Sequence, residues 1–273
     1  KYFVKEKKMS MRLAGEEDRD SLLGYLKKDL GNCLYIYMDI CKYGFGSPHM
    51  QVWVEEDGMN LVLMKYYDSL QLYAASEDWS LDAVLDKIQE YSIRMISARR
   101  DIIERLRKNV YCQEYYEENF GHVFRFQHYK TLISDKIHIQ KAEPSDSDEI
   151  ARLMRMDSLF SENYEESELS LQLCERMKNG MGRCYVIRAQ DHIIAHIATF
   201  AEIANLAVTS GLIVHPEHRN LPYGTVLESY LVNCLQKEGI DVFTFVNERK
   251  RYKLLKALDC EECGQYGKLT RIG

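Results

Sequence analysis
The chain has 273 residues, 46% hydrophobic and 29% charged, with a formal net charge of −6. That is enough for one large core or two small ones, and no apolar run approaches the roughly 18 residues of a membrane-spanning helix. The negative balance argues against a general nucleic-acid or anionic-membrane partner and suits a cationic amine ligand.

The basic start of the chain lacks the apolar core of a secretory signal, and the eight cysteines are scattered. Both features predict a cytoplasmic protein with reduced thiols. Cys260 and Cys263 form one C-x-x-C with no second pair at a fitting distance, so no metal site is expected. Residues 11–13 read as a short strand, and Glu16, Glu17 and Asp18 open a helix through DRDSLLGYLKKDL. Residues 33–41 are apolar without a deciding period, and 42–48 are a glycine-rich loop. Residues 51–54 and 61–65 flank EEDG as a hairpin, and 70–75 form a third strand. Ser80 or Asp78 caps a helix carrying Leu81, Val84, Leu85 and Ile88. A strand over 93–97, a basic helix over 101–108 and aromatic segments 111–116 and 123–129 close this half.

The second half opens with a strand over 136–140, then a helix in SDSDEIARLMRM, a polar loop FSENYEES and a helix through Leu169, Leu173 and Met177. Residues 184–188 and 193–200 form a hairpin around Gln190 and Asp191. The strand 206–214 runs into a turn through Pro216, Arg219, Asn220 and Pro222. A helix then starts near Tyr223 with Val226, Leu227, Tyr230, Leu231 and Cys234 on one face. A strand over 242–246, the helix RKRYKLLKAL and one or two strands in 264–272 complete the half.

The passage from residue 211 to 234 carries the chemistry. A strand entering a helix through a tight turn leaves bare N–H groups at the positive end of the helix dipole, which suits a phosphate. Arg219 adds a fixed charge, and Gly224 permits close approach to the backbone. The order Val214, Pro216, Glu217, Arg219, Gly224 resembles motif A of the GNAT superfamily of acyl-CoA-dependent N-acyltransferases, and the order of elements over residues 136–273 matches that fold. Pro222 stands where the motif's first glycine is usual, and it has no N–H to donate.

The resemblance implies an α/β (α+β) fold with a mixed central sheet flanked by helices, and a catalytic domain over residues 135–273. It implies acetyl-CoA as co-substrate, its pantetheine arm along Leu212, Ile213 and Val214. The pyrophosphate falls at Arg219, Asn220, Leu221, Tyr223, Gly224 and Thr225. Asn247 falls near the pantetheine, and it also suits a helix N-cap. The implied reaction is direct attack by a primary amine, on a small molecule or a peptide, within a ternary complex. Glu202 is the candidate general base, with an exposed turn residue as the alternative, and His196 faces either core or cleft. Tyr252 is the candidate acid for the thiolate, with a packed aromatic as the alternative; Leu255 occupies the family's usual tyrosine position and cannot donate. Pro222 and Leu255 keep a second reading alive, a silent CoA-binding regulatory protein. The acceptor pocket is expected from loop 160–166, turn 202–205 and the tail. Oligomeric state stays open, a homodimer being one option.

Residues 1–130 repeat the element order weakly but contain no glycine or proline from Met59 to Phe120. They read as a degenerate GNAT-like domain without a phosphate cradle, giving two such halves in tandem; an unrelated α+β domain is the alternative.

Overall fold
A computed structural model describes residues 10–56, 59–127, 137–161 and 164–272. The chain divides into two compact units that interleave in sequence. The first holds Lys1–Val123, Val246–Lys253 and Glu262–Gly273; the second holds Phe124–Phe245 and Leu254–Glu261.

In the first unit, β1 (Met11–Leu13) leads to α1 (Arg19–Leu26) through a 3-10 turn. There the Asp18 carboxylate accepts from the Gly15 N–H at 3.0 Å and from Arg12 at 2.6 and 2.7 Å. The undecided stretch 33–41 is helical from Leu34 on, within α2 (Leu30–Tyr43), which kinks at Cys33 (φ −138°) and buries Cys33, Leu34, Ile36, Tyr37, Met38 and Ile40. Burial on most of its circumference is what erased the helical period. Strands β2 (Met50–Glu55), β3 (Leu61–Tyr66) and β4 (Ser69–Ala74) form an antiparallel meander. Asp57 and Gly58 of the expected hairpin turn lie outside the described residues.

Helix α3 (Leu81–Glu90) is capped by Ser80, whose Oγ accepts from the Ala83 N–H at 3.2 Å. β5 (Met95–Arg99) then runs parallel to β4, followed by α4 (Arg100–Leu106), α5 (Val110–Tyr115) and β6 (Tyr116–Arg125). β5 begins two residues later than expected because Ser92, at φ 49°, and the Ile93 N–H bond to Ile88 close α3 in a left-handed cap.

The strand order of this unit is β1-β2-β3-β4-β5-β12-β6, with β12 (Glu261–Arg271) inserted between β5 and β6. β12 pairs antiparallel with β5 from Tyr266↔Arg99 to Thr270↔Met95. The expectation gave the whole of 135–273 to one domain and this tail to its sheet; the tail instead completes the first unit. Leu269 of β12 is fully buried in that unit's core with Trp53, Leu63, Leu72, Val84, Ile88, Ile96 and Ile102. Gly267 meets the Ile103 side chain so closely that a Cβ would fall 2.8 Å from it.

The second unit contains β7 (Ile139–Lys141), α6 (Ser147–Met154), α7 (Ser158–Ser161) and α8 (Glu166–Lys178). Then come β8 (Cys184–Ala189), β9 (His192–Ile203), β10 (Leu206–Val214), α9 (Tyr223–Lys237) and β11 (Asp241–Val246). Helix α10 (Arg249–Ala257) is divided between the units. Strand order is β7-β8-β9-β10-β11, antiparallel except for the parallel β10–β11 pair. Gln190 and Asp191 turn the β8–β9 hairpin at φ 49° and 67°, the two left-handed positions that suit the strands' twist. Phe160 and Ser161, expected in a loop, lie in α7, and residues 162–163 of that loop are outside the described set. Ile150, Leu153, Met154, Leu169 and Leu173 of α6 and α8 pack on Val186, Ile193 and Ile213 of the sheet.

Candidate functional site
The site is built where β10 parts from β11. Their parallel pairing runs from Leu206↔Asp241 to Thr209↔Thr244 and stops there. The Thr209 hydroxyl reaches the Phe243 carbonyl at 3.4 Å, and the Thr244 hydroxyl reaches the Thr209 carbonyl at 3.5 Å, so both side chains close the end of the ladder. Beyond this point Ser210 to Val214 have no strand partner on the β11 side among the described residues. Ile213 is buried against α6 and α8, while Leu212 and Val214 are half-buried.

A bulge accompanies the parting. Ser210 pairs with Ala198 and Ile213 with His196, so Gly211 and Leu212 face the single residue Ile197. Gly211 has φ +67°, in the left-handed region that favours glycine. His196 is 1% exposed and bridges this point: its Nδ1 lies 2.8 Å from the Gly211 carbonyl and its Nε2 lies 3.0 Å from Cys184 Sγ. Burial pushes the imidazole down to about 4 and the Cys184 thiol up to about 12, so the pair is neutral. His196 therefore faces the core. Its buried pairing with Cys184 left no signal in the sequence beyond two residues on neighbouring strands.

After Val214 a 3-10 turn, Pro216–His218, brings the chain to α9. His218 N–H donates to the His215 carbonyl, Leu221 N–H to that of His218, and Val226 N–H to that of Pro222. The N–H groups of Asn220, Tyr223, Gly224 and Thr225 meet no acceptor among the described residues. Pro222 sits at the N-cap, φ −77°, so its missing N–H falls just before the helix and leaves the first-turn amides intact. Arg219, Asn220 and Leu221 are exposed, whereas Tyr223, Gly224 and Thr225 are half-buried.

The Arg219 Nε donates to the Val214 carbonyl at 3.0 Å, and its two Nη atoms remain without an acceptor among the described residues. Gly224 also packs closely on β10. A Cβ there would lie 3.3 Å from Val214 Cγ2, so the glycine lets α9 begin directly against β10. His215, His218 and Tyr223 form a run of rings at the turn, centroids 5.7 and 6.0 Å apart.

No family model matches the chain, and no curated protein matches it. Solved structures do. A Drosophila protein aligns with a TM-score of 0.67 at 12% identity, over 97% of this chain and 99% of that one. A GCN5-related N-acetyltransferase-like protein from Streptococcus suis gives 0.57 at 10% identity, over 93% and 100%. A tandem GNAT protein from the clavulanic acid biosynthesis pathway gives 0.55 at 12% identity, over 97% and 99%. The fold is GNAT-like. At such identities the likeness describes the backbone and leaves the chemistry to the residues.

Within this GNAT-like fold the two expected acid–base residues are engaged elsewhere. Glu202 pairs on β9 with Ala207, toward the start of β10 and seven residues back from Val214. Its carboxylate accepts from Arg183 Nε and Nη2 at 3.2 and 3.1 Å and from the Thr199 hydroxyl at 3.0 Å. Arg183 is itself clamped by Glu238, and these hydrogen bonds and charges raise its pKa further. Glu202 is thus neither an exposed turn residue nor a free base.

Tyr252 belongs to the first unit, where its hydroxyl donates to Glu262 at 3.0 Å and its ring lies 4.3 Å from that of His122. The bond to Glu262 raises the phenol's pKa. Burial alone would raise Glu262, but the bonds from His122 and Tyr252 outweigh it and hold the carboxylate low. Leu255 is fully buried, and Asn247 is exposed before α10, whose first bond runs from the Tyr252 N–H to the Glu248 carbonyl.

In the first unit β4 and β5 also part, and arginine side chains bond to the carbonyls beyond that point. β4 and β5 part after Leu72↔Ala98, but Arg99 Nη1 then occupies the Ala74 carbonyl at 3.0 Å. Arg105 donates to the carbonyls of Glu77 and Trp79 at 2.8 and 3.1 Å and stacks on the Trp79 ring at 4.1 Å. Ser80 takes an N–H of α3. A groove of about 680 Å³ in this unit is lined by Arg99, Arg100, Asp101, Glu104 and Glu262, but Arg99 pairs with Asp101 and Arg100 with Glu104. Among the described residues no cluster of three or more His, Cys, Asp or Glu is placed to hold a metal ion, and no helix is long and apolar enough to cross a membrane.

Proposed function
We propose that the chain is an acyl-CoA-dependent N-acyltransferase, with acetyl-CoA as donor and a primary amine of a small molecule or peptide as acceptor. The observation that carries this reading is the coincidence of three features. β10 loses its β11 partner after Thr209, the first amides of α9 are bare, and the Arg219 guanidinium is bonded to the end of β10 at the Val214 carbonyl. Residues 212–214, apart from the Val214 carbonyl that Arg219 holds, offer backbone groups to an extended amide-bearing arm, as an edge strand does. The amides of residues 220 and 223–225 together with Arg219 suit the diphosphate at its end.

The neutral amine attacks the thioester carbonyl, a C–N bond forms and the C–S bond breaks, leaving an amide and a CoA thiolate. The amine's proton leaves to water and the thiolate takes one from water, because Glu202 and Tyr252 are held in other bonds. The bonds that Arg99 and Arg105 make to carbonyls beyond the β4–β5 pairing support reading the first unit as a GNAT-like half without a CoA site.

A second reading, a CoA-binding protein without turnover, is favoured by the engaged Glu202 and the buried Leu255. Calorimetry with acetyl-CoA, CoA, ATP and NAD, followed by thiol release over a panel of amines, tests both. Selective CoA binding with thiol release supports the transferase; binding with no release from any amine supports the silent protein. Absence of CoA binding sinks both.

A further inference from the structure
We propose that His196 is a positioning residue for the thioester slot: it holds β10 in its bulged course by tying down the Gly211 carbonyl. The inference rests on the acyl-CoA reading of β10. Two residues of β10 stand opposite Ile197 alone, so one peptide group drops out of the ladder with β9. A partly buried carbonyl left without a donor, as that of Gly211 would be, is costly, and the cheaper course for the strand is then an unbroken ladder. His196 removes that cost, because its Nδ1 lies 2.8 Å from the Gly211 oxygen. An oxygen accepts only, so Nδ1 carries the proton and Nε2 presents its lone pair to the Cys184 S–H at 3.0 Å.

The thiol thus fixes the tautomer, and the imidazole fixes the strand. A Cβ on Gly211 would lie 3.2 Å from His196 Cε1 and 3.6 Å from Met154 Cε, so ring, glycine and α6 pack as one seat. The consequence reaches the slot directly. Removing the bulge shifts residues 211–214 by one position against β9, which turns their side chains to the other face of the sheet. The edge that faces away from β9 would then no longer present the groups that leave β11 after Thr209.

The test uses the full chain with His196→Asn and His196→Leu. Asparagine places an amide N–H near the position of Nδ1, whereas leucine fills volume without a donor. Acetyl-CoA affinity measured by calorimetry is expected to fall at least tenfold in H196L and to stay within threefold of wild type in H196N. Amide hydrogen exchange of residues 210–214 should quicken at least tenfold in H196L and little in H196N. Equal affinity and equal exchange in both variants would overturn the proposal.

Should H196L not fold, nitrogen NMR of the wild-type chain labelled at histidine decides. A neutral, Nδ1-protonated His196 at pH 7 supports the proposal, and an Nε2-protonated or charged ring overturns it. Should the wild-type chain bind no acetyl-CoA, the transferase reading falls. The exchange and tautomer measurements still decide whether His196 holds the bulge.

Discussion
Gly31 at the start of α2 and Gly264 of β12 meet backbone to backbone. A Cβ on Gly264 would lie 2.5 Å from the Gly31 carbonyl oxygen, and one on Gly31 would overlap the Cys263 carbonyl. Neither obstacle is a flexible side chain, so an added methyl must move a helix or a strand. Gly264→Ala and Gly31→Ala are each expected to lower unfolding free energy by about 3 kcal/mol, the upper range for overpacking. Urea denaturation reads this; two variants within about 0.5 kcal/mol of wild type would mean that β12 is not seated against α2.

Arg219 gives its Nε to the Val214 carbonyl, and its two Nη atoms meet no acceptor among the described residues. Charge-assisted bonds of this kind contribute about 1.5–3 kcal/mol, or roughly 10- to 100-fold in affinity. Arg219→Ala is expected to weaken acetyl-CoA binding by that factor. Arg219→Lys should recover only part, because a point charge does not reproduce the fork. An unchanged dissociation constant for R219A would remove the guanidinium from the site.

Much of this site was legible in the chain itself. The bounds of β10 and the start of α9 follow from an apolar run, two prolines and a glycine, all local signals. The cap that misplaced β5 is local too, but Ser92 adopts a left-handed turn where glycine is the usual residue, so no glycine marked the helix end. Two features had no local trace. The pairing of β12 with β5 joins residues far apart in the chain, and a strand's partner leaves no mark in its own composition. The engagement of Glu202 by Arg183 is likewise a meeting of distant side chains, which motif order does not report.

His196 makes stability depend on pH. Its imidazole titrates near 4 in the native protein, against an ordinary 6.5, because burial disfavours the charged form. Between those values the unfolded chain binds more protons than the native one. The contribution is therefore complete above about pH 6.5 and is lost as pH falls toward 4, on the order of 3 kcal/mol in all. Denaturation at pH 7, 5.5 and 4.5 should show the decline, and His196→Asn should flatten it. An equal slope in both proteins would assign the effect to other groups.

Glu202 should behave as a structural carboxylate. Glu202→Gln is expected to cost about 1.5–3 kcal/mol of stability through the weakened Arg183 and Thr199 bonds. Its kcat should stay within about threefold of wild type, less than the hundredfold or more that removing a general base costs. A pH–rate profile that loses its acidic limb in E202Q would restore Glu202 as the base.

The insertion of β12 between β5 and β6 also bears on how the protein comes into being. During synthesis β5 and β6 emerge well before β12, and the sheet of the first unit cannot close until the strand encoded after residue 260 is made. The facing edges of β5 and β6 must wait unpaired until the later-made β12 arrives to lie between them.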